Sequence, residues 1–504
     1  MRYVIGIDLG TTAVKAILVN EQGEVCGEAS SPFQILRKAA GYSEQRPEEW
    51  VTGTMLAIRQ LMNQTRVNAS DVKGLSFSGQ MHGLVLLDEK HQVLRDAILW
   101  NDTRTTSECR LIEERLGEKL IEITRNRALE GFTLPKLLWV QQYEAQLFRQ
   151  ASVFLLPKDY VRYRLTGKLG MDLSDAAGTL LLDIEQRRWS SLICDTFHIP
   201  EGLCPPLLES DTQVGNLLPD IASQVGLSTD TQVFAGGADN ACGALGAGIL
   251  KPGAVMCSIG TSGVALSYET EAEDRYQGDL HVFNHAQREA YYSMGVTLAA
   301  GHSLSWFKEL FARDLSYEEL LGGIDEVPIG SNGLLFTPYL SGERTPHCDA
   351  VIRGSWMGLS AEHGIDELAR SVLEGITFSL RESLDGFREA GKPVETVISI
   401  GGGAKNRHWL QMQADIFQTP VRKLKDEQGP ALGAAMLAAV GLGWFDSLHS
   451  CAERFVHYSG MVEPVAAHVE AYESLYPLYK QVYKQTRMIH EGLAAFRHRK
   501  MIES

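Results

Sequence analysis

The segment Leu9-Gly10-Thr11-Thr12-Ala13-Val14 recurs as Ile259-Gly260-Thr261-Ser262-Gly263-Val264, half a chain length later in a sequence of 504 residues. Apolar, β-branched segments flank both copies, so each is interpreted as a turn between two strands. Self-similarity at half the chain length is typical of a duplicated fold with two lobes. The alternatives are a chance match over six positions, or two ordinary β-hairpins that share a common Gly-Thr turn.

Strands alternate with helices on both sides of these turns. Residues 3–8 and 72–77 have the pattern of strands, and an amphipathic helix that begins near Pro47 separates them. This alternation predicts an α/β fold of sheets layered with helices. Small residues at helical spacing follow Asn240, which favours a closely packed helix and indicates a hinge element between the two lobes. We divide the chain into an N-terminal lobe, 1–246, and a C-terminal lobe, 247–504, which ends in an amphipathic helix.

Composition excludes several classes of protein. The chain carries 63 acidic and 47 basic residues, a net charge of −16, and this balance argues against a nucleic-acid binder. No uncharged apolar run approaches the roughly 18 residues that a membrane-spanning helix needs. The N-terminal segment has the pattern of a strand rather than a signal peptide. We therefore expect a cytoplasmic protein without nucleic-acid or membrane partners; a homodimer is compatible with the sequence, which does not decide the oligomeric state.

The eight cysteines are scattered without a C-x-x-C pair. This spacing fits neither a disulfide framework nor a zinc site, so most of them are expected to be reduced and buried as small apolar residues.

The two turns have the chemistry of a phosphate site. Glycine permits a tight turn, and adjacent hydroxyls with exposed N–H groups can bind phosphate oxygens. Two such turns facing each other across a cleft would hold a polyphosphate from both sides. The sequence contains no G-x-x-x-x-G-K-[ST], so an ordinary P-loop is excluded.

Two aspartates stand at positions suited to phosphoryl transfer. Asp8 closes the first strand, where a carboxylate can hold Mg²⁺, an ion that takes only one or two protein carboxylates. Asp239 follows a strand at the start of a helix, where it could accept the proton of an attacking sugar hydroxyl. The alternatives are a turn aspartate bonded to its own backbone for Asp8 and a helix N-cap for Asp239. The sequence leaves both pairs of alternatives open.

A glycine-rich loop at 401–403 follows the strand pattern of residues 394–400 and precedes a helix. Backbone without side chains can lie flat against a planar base, so this loop is a candidate wall of a nucleotide site. It does not have the form G-x-G-x-x-G and gives no support for dinucleotide binding.

Taken in order, these motifs resemble those of the FGGY carbohydrate kinases, a family with the two-lobed, actin-like (ribonuclease H-like) ATPase fold. The resemblance runs from the first strand to about Ala438. It is carried by the following segments: Ile5-Gly-Ile-Asp-Leu-Gly-Thr-Thr12, Ser78-Gly-Gln-Met-His-Gly83, Ile98-Leu-Trp-Asn-Asp-Thr-Arg104, Leu156-Pro-Lys-Asp-Tyr160, Asp172-Leu-Ser-Asp-Ala-Ala-Gly-Thr179, Gly236-Gly-Ala-Asp-Asn240, Leu340-Ser-Gly-Glu-Arg-Thr-Pro-His347 and Gly401-Gly-Gly403.

The resemblance implies a central cleft and an ATP- and Mg²⁺-dependent phosphorylation of D-xylulose at its 5-hydroxyl. Asp239 would be the general base, and Asp8 would orient Mg²⁺ and the phosphates; both carboxylates are candidate metal ligands. The candidate sugar-binding residues are Gln80, Met81, His82, Trp100 and Asn240. The candidate ATP-binding residues are Thr11, Thr12, Gly260, Thr261, Ser262, Gly402, Gly403 and Asn406.

Three points stay open at this level. Trp100 is interpreted either as a cover for the carbon face of the sugar or as a core residue. Ala238 stands where the resemblance predicts a third glycine. The activity itself has two rivals: a kinase for another ketose, such as L-xylulose, ribulose or fuculose, and a non-catalytic, nucleotide-gated module of the actin type.

Overall fold

The computed structural model describes residues 1–273 and 275–503, and the elements below are those of this part of the chain. The strands are β1 (Tyr3–Leu9), β2 (Ala13–Asn20), β3 (Val25–Pro32), β4 (Glu44–Gln45), β5 (Val72–Gly79), β6 (Val85–Leu87), β7 (Ala97–Ile98), β8 (Val153–Leu155), β9 (Met171–Asp172), β10 (Leu182–Asp183), β11 (Arg188–Trp189), β12 (Leu207–Leu208), β13 (Gln213–Asn216), β14 (Gln232–Phe234), β15 (Gly237–Ala238), β16 (Gly253–Ile259), β17 (Gly263–Glu269), β18 (His281–Asn284), β19 (Tyr291–Thr297), β20 (Leu335–Thr337), β21 (Ser355–Met357), β22 (Val394–Gly401), β23 (Val421–Leu424) and β24 (Tyr458–Val462).

The helices are α1 (Pro47–Thr65), α2 (Thr106–Leu116), α3 (Glu118–Thr124), α4 (Thr133–Tyr143), α5 (Ala145–Phe148), α6 (Pro157–Thr166), α7 (Leu173–Ala177), α8 (Ser191–Thr196), α9 (Pro219–Val225), α10 (Asp239–Gly246), α11 (Gly301–Phe311), α12 (Tyr317–Leu320), α13 (Ile365–Glu389), α14 (Arg407–Phe417), α15 (Pro430–Gly441), α16 (Leu448–Phe455) and α17 (Ala466–Glu503). Short 3₁₀ turns occur at Ala69–Asp71, Glu201–Leu203, Ser331–Gly333 and Gly402–Ala404. The predicted C-terminal helix is confirmed as α17, which begins three residues before the predicted start.

The two halves of the chain repeat one sheet topology. The first sheet has the order β13-β14-β5-β1-β2-β3, and the second, taken from its far edge, has the order β24-β23-β22-β16-β17-β19-β18. Corresponding neighbours run in the same relative directions: β1 is antiparallel to β2 and parallel to β5, as β16 is antiparallel to β17 and parallel to β22. The duplication predicted from the repeated six residues is therefore confirmed, and the match is not a matter of chance.

The repeated segments form the tips of equivalent hairpins. The β1–β2 hairpin pairs Leu9 with Val14, whereas the β16–β17 hairpin pairs Ile259 with Gly263, so the two ladders differ in register by one residue. Both turns lie at the carboxyl end of the first strand of their sheet. This is the end of a parallel α/β sheet at which ligands generally bind.

Helices α10 and α15 join the two halves. A Cβ atom added to Gly433 of α15 would lie 2.0 Å from the Cys242 carbonyl oxygen of α10, and one added to Gly246 would lie 2.7 Å from the Gly429 oxygen. On its other side α15 packs on the first sheet, where a Cβ at Gly6 of β1 would lie 1.9 Å from the Ala431 oxygen. The small residues of both helices thus allow backbone to approach backbone, and for α10 this confirms the predicted close packing.

Among the described residues, no helix combines the length and the apolar composition that crossing a lipid bilayer requires. All eight cysteines are free thiols; five are buried, Cys204 is half-buried, and Cys26 and Cys348 are exposed. This agrees with the prediction that most of them are small buried residues.

Candidate active site

Three parallel strands bring the candidate catalytic residues to one edge of the first sheet. The register places Asp8 of β1 opposite Ser78 of β5, and Gly237 of β15 opposite the same serine. Asp8 is the penultimate residue of β1, and Asp239 directly follows β15. Parallel strands end at a common edge, so these aspartates, 231 positions apart in the sequence, become neighbours.

Asp239 has a carboxylate that changes charge near neutral pH. Burial and the negative charge of Asp8 raise the pKa of Asp239 to about 7, against the opposing effect of hydrogen bonds from Asn240. Its Oδ1 accepts the Asn240 backbone N–H at 2.7 Å and the Asn240 side-chain amide at 3.0 Å. Asp239 is the first residue of α10, so this oxygen satisfies one free helix N–H while the residue also lines a cavity. The N-cap interpretation of Asp239 is wrong, because the N-cap of α10 is Ala238. The role of Asp239 as a base stays a prediction.

Asp8 supplies an oxygen suited to a cation. Burial raises the pKa of Asp8, and the Ser78 hydroxyl and the Lys15 charge partly offset this effect. Its buried Oδ1 has no hydrogen-bond partner among the described residues. An uncompensated buried carboxylate oxygen is costly unless something binds it. Together with the neighbouring Asp239 carboxylate, it forms the all-oxygen donor set that Mg²⁺ prefers, so the residues present fit that ion.

A cavity of about 180 Å³ opens in front of Asp239. Four of the five candidate sugar-binding residues line it: Met81, His82, Trp100 and Asn240. The other lining residues are Leu129, Gly131, Phe132, Ser262, Val264, His281, Phe283, Met294, Val296 and Arg344. We call this space the small cavity. Its volume is below the range of about 300–1,000 Å³ typical of drug-sized ligands, which favours a small polar substrate.

His82 is held as a neutral hydrogen-bond acceptor. Its Nδ1 donates to the Gly178 carbonyl oxygen at 2.6 Å, because a carbonyl can only accept. Burial, with the charges of Lys136 and Arg344, lowers the pKa of His82 to about 3. A neutral imidazole that donates through Nδ1 keeps Nε2 as an acceptor, and this nitrogen is suited to a sugar hydroxyl.

Trp100 lies in the site and not in the core. Its side chain is 37% exposed, lines the small cavity, and donates through Nε1 to Thr11 Oγ1 at 2.9 Å. The core interpretation of Trp100 is therefore wrong. The hydrogen bond also ties the first repeated turn to the small cavity.

Gln80 differs from the other sugar candidates in its position. It is buried, it does not line the small cavity, and its Nε2 donates to Gln45 Oε1 at 3.2 Å and to the Gly10 oxygen at 3.4 Å. Gln45 in turn donates to the Thr11 oxygen at 2.7 Å. The Nε2 atom of Gln80 thus supports the first turn, whereas its buried Oε1 has no hydrogen-bond partner among the described residues. The interpretation of Gln80 as a sugar contact stays a prediction.

A second, larger cavity of about 840 Å³ lies against the second sheet, and we call it the large cavity. It is lined by the candidate ATP-binding residues Gly260, Thr261, Gly402, Gly403 and Asn406. Asn406 also caps α14, since its Oδ1 accepts the N–H groups of His408 and Trp409 at 2.8 and 3.0 Å. Helix α11 starts against the second turn, where Gly301 donates to the Gly260 oxygen at 2.8 Å.

The second turn separates the two cavities. Gly260 and Thr261 line the large cavity, whereas Ser262 lines the small one. Ser262 thus lies on the sugar side, although the sequence grouped it with the ATP residues. Thr11 and Thr12 of the first turn line neither cavity. A phosphate bound at the second turn would stand between a nucleotide in the large cavity and Asp239 in the small one.

A fully buried charge cluster supports the site from behind. Lys158 Nζ lies 2.7 Å from Asp159, 2.7 Å from Asp172 and 2.9 Å from Asp175. The ammonium group occupies the centre of these three carboxylates, so the group is an ion-pair network and not a metal site. Asp172 caps α7, and Ser174 of that helix accepts the Ala238 N–H at 2.9 Å. The cluster therefore anchors the backbone that precedes Asp239.

Sequence reasoning missed several residues of the small cavity. His281 and Phe283 alternate on β18 and so lie on one face, a pattern shared by many core strands. Arg344 belongs to the segment Leu340–His347, which carries part of the family resemblance but was assigned no role. Its place in that segment is the signal that could have drawn attention to it.

Comparison with known proteins identifies the family. The profile of the N-terminal domain of the FGGY family of carbohydrate kinases matches residues 3–246, and that of the C-terminal domain matches residues 255–442. The xylulose kinase of Bacillus subtilis (strain 168) is 58% identical over 497 residues, which cover 99% of this chain and 100% of that protein.

Two solved structures share the whole architecture. The ligand-bound xylulose kinase from Lactobacillus acidophilus has a TM-score of 0.93 at 26% identity and covers 98% of this chain and 100% of its own. The gluconate kinase from the same organism has a TM-score of 0.92 at 26% identity, with coverages of 96% and 98%. The predicted two-lobed, actin-like α/β fold is thereby confirmed. The chain belongs to the FGGY family of carbohydrate kinases.

Proposed function

We propose that this carbohydrate kinase transfers the γ-phosphoryl group of ATP to the 5-hydroxyl of D-xylulose. The observation that carries the proposal is the position of Asp239: a carboxylate with a pKa of about 7 lines a sugar-sized cavity beside the turn that leads to the large cavity. The full-length similarity to a xylulose kinase at 58% identity supports the choice of sugar.

In this proposal Asp239 is the general base. Its carboxylate accepts the proton of the 5-hydroxyl while the bond between that oxygen and the γ-phosphorus forms and the bond to ADP breaks. His82 Nε2 and the Asn240 amide bind sugar hydroxyls, and Met81 and Trp100 contact its carbon skeleton. Gln80 supports the first turn through Gly10 and Gln45.

The phosphates of ATP would lie between the two turns, bound by the backbone and hydroxyls of Thr11, Thr12 and Thr261. Gly402, Gly403 and Asn406 form the wall for adenosine in the large cavity. Asp8, with Asp239 nearby, would hold Mg²⁺, which neutralises phosphate oxygens when bound. The lobe boundary at residue 246, the cytoplasmic location and a homodimer stay predictions.

The choice of sugar is tested by measuring ADP release with a panel of ketoses: D-xylulose, L-xylulose, D-ribulose and L-fuculose. We expect the largest kcat/KM with D-xylulose and slow ADP release without sugar. Gluconate belongs in the panel because a structure of the same architecture is a gluconate kinase. A clear preference for another substrate overturns the xylulose assignment, and ATP turnover that is indifferent to every sugar overturns the kinase mechanism.

The general base is tested by Asp239→Asn. We expect kcat to fall by at least about a hundredfold, because a general base contributes about 10²–10⁴ to the rate, while ATP still binds. Asp230→Asn is the matched control, since Asp230 is an exposed aspartate of the same lobe. Near-normal turnover in Asp239→Asn would show that this carboxylate only satisfies the helix start.

A further inference from the structure

Arg344 is a charged residue that lines the small cavity. Its guanidinium makes no hydrogen bond or ion pair within the described ranges, although the charges of Glu130 and Glu343 act on it. Loss of solvent lowers the pKa of Arg344, although arginine stays protonated at neutral pH. A cation that is removed from water and has no hydrogen-bond acceptor is unfavourable. Such groups are often found in ligand sites, where the ligand supplies the acceptor.

The adjacent acid attracts Arg344 but makes no hydrogen bond to its guanidinium. Glu343 Oε1 accepts the backbone N–H groups of Leu298 and Arg344 at 2.9 and 2.8 Å, and its Oε2 accepts the Ser379 hydroxyl at 3.2 Å. Both oxygens of Glu343 are therefore engaged with the backbone and with α13. The guanidinium is left free to donate into the cavity.

The backbone beside Arg344 is fixed to the cavity wall. Thr345 exchanges two hydrogen bonds with Val296 of β19: its N–H donates to the Val296 oxygen at 2.9 Å, and its Oγ1 accepts the Val296 N–H at 3.0 Å. Val296 itself lines the small cavity. Arg344 lies in the loop between β20 and β21, and the bonds of its neighbour Thr345 to β19 limit the positions that its backbone can take.

Arg344 and Asp239 offer opposite hydrogen-bonding groups to the small cavity that both of them line. A guanidinium can only donate hydrogen bonds, whereas an ionised carboxylate can only accept them. The two residues therefore suit different oxygens of one substrate.

A 2-ketopentose has one oxygen suited to the donor Arg344 and another suited to the acceptor Asp239. Ring closure of such a sugar consumes its 5-hydroxyl, so the 5-hydroxyl can be phosphorylated only in the open-chain form. In that form C2 carries a free carbonyl, whose oxygen can only accept hydrogen bonds. When the 5-hydroxyl lies at Asp239, the C2 oxygen lies toward the other end of the substrate.

We propose that Arg344 donates a hydrogen bond to the C2 oxygen of the open-chain ketose and so determines which substrates are held with the reacting hydroxyl at Asp239. This inference rests on the proposed function. It makes Arg344 a substrate contact supplied by the C-terminal half of the chain, opposite contacts such as His82 and Asn240 from the N-terminal half.

The first test measures steady-state kinetics of Arg344→Gln and Arg344→Lys with D-xylulose. We expect kcat/KM for the sugar to fall about 10- to 100-fold in Arg344→Gln, since a hydrogen bond from a charged donor contributes about 1.5–3 kcal/mol. Arg344→Lys should recover part of the loss, and KM for ATP should stay within about threefold. Arg353→Gln is the matched control, because Arg353 bonds only to nearby backbone oxygens and lies outside the cavity lining.

The second test locates the contact on the substrate. Inhibition constants against D-xylulose are measured for a pentitol and for the same pentitol without oxygen at C2. We expect loss of this oxygen to weaken binding about tenfold or more in the unmodified enzyme and less than about threefold in Arg344→Gln. This non-additivity distinguishes a direct contact from a general disturbance of the cavity.

Two outcomes overturn the inference while the proposed function survives. Unchanged sugar kinetics in Arg344→Gln would remove Arg344 from substrate binding. An equal effect of the C2 oxygen in both proteins would show that the guanidinium contacts another part of the sugar. If the unmodified enzyme does not phosphorylate D-xylulose, the proposed function itself fails, and the assignment of the C2 oxygen fails with it.

Discussion

The Asp239 carboxylate lies beside that of Asp8, and this arrangement determines the pH at which it holds a proton. A raised pKa means that the protonated form persists to higher pH than in an ordinary aspartate. Only the deprotonated form can accept a proton from the substrate. We therefore expect kcat/KM for the sugar to be level above about pH 7 and to fall about tenfold per unit below it.

The measurement is kcat/KM for D-xylulose from pH 5 to 9 at saturating ATP and constant free metal ion. His82 does not contribute a second inflection, since burial lowers its pKa to about 3 and it stays neutral over this range. A profile that stays level down to pH 5 would contradict the pKa of Asp239 or its role as the base.

At the scale of elements, the crossing of α10 and α15 leaves no room for a side-chain atom at Gly433. Gly433→Ala would bring a Cβ to within 2.0 Å of the Cys242 backbone oxygen, and neither helix backbone can yield without displacing a sheet. We expect a loss of about 2–3 kcal/mol or more in the free energy of unfolding, measured by chemical denaturation, because overpacking forces the backbone to shift.

The matched control is Gly492→Ala, another glycine within a helix, where an added Cβ meets nothing within 4 Å. Alanine favours helix by about 1 kcal/mol over glycine, so this variant should be as stable as the original or more so. If Gly433→Ala behaved like the control, the close crossing of α10 and α15 would be in error. Because α10 begins with Asp239, Gly433→Ala is also expected to lower kcat.

At the scale of the whole molecule, the two lobes share a core. One buried cluster contains Val4 of β1, Ala241 of α10, Met256 of β16 and Ala431 of α15. Residues from both halves of the sequence therefore cover the same apolar surface, and helix α15 of the second half packs on β1 of the first. Separation of the halves would expose this surface to water.

We expect a fragment of residues 1–246 to lack a cooperative thermal transition by circular dichroism and to bind a hydrophobic dye. Co-expression with residues 247–504 should restore a complex that unfolds cooperatively, because it covers the face of β1 again. Cooperative unfolding of residues 1–246 alone would show that the lobes are independent folding units.

Much of the candidate site could be predicted from short segments, because a turn is built from consecutive residues. Local patterns single out the turns at Thr11 and Thr261, the acids Asp8 and Asp239 and the loop at Gly402. The small cavity is different, because its walls come from separate strands and loops. Gln80 is an example: its place in the sequence next to Met81 and His82 did not show that its Nε2 donates to the first turn.

The sequence by itself determined the two-lobed fold and singled out the two turns and the two acids as candidates, since repeated local patterns and residue types carry that information. Tertiary structure alone decided that the acids are neighbours and that Ser262 and Arg344 line the small cavity. The physical reason is that burial, charge and hydrogen-bond partners depend on which distant segments meet. Only the pairing of strands and the crossing of α10 with α15 bring those segments together.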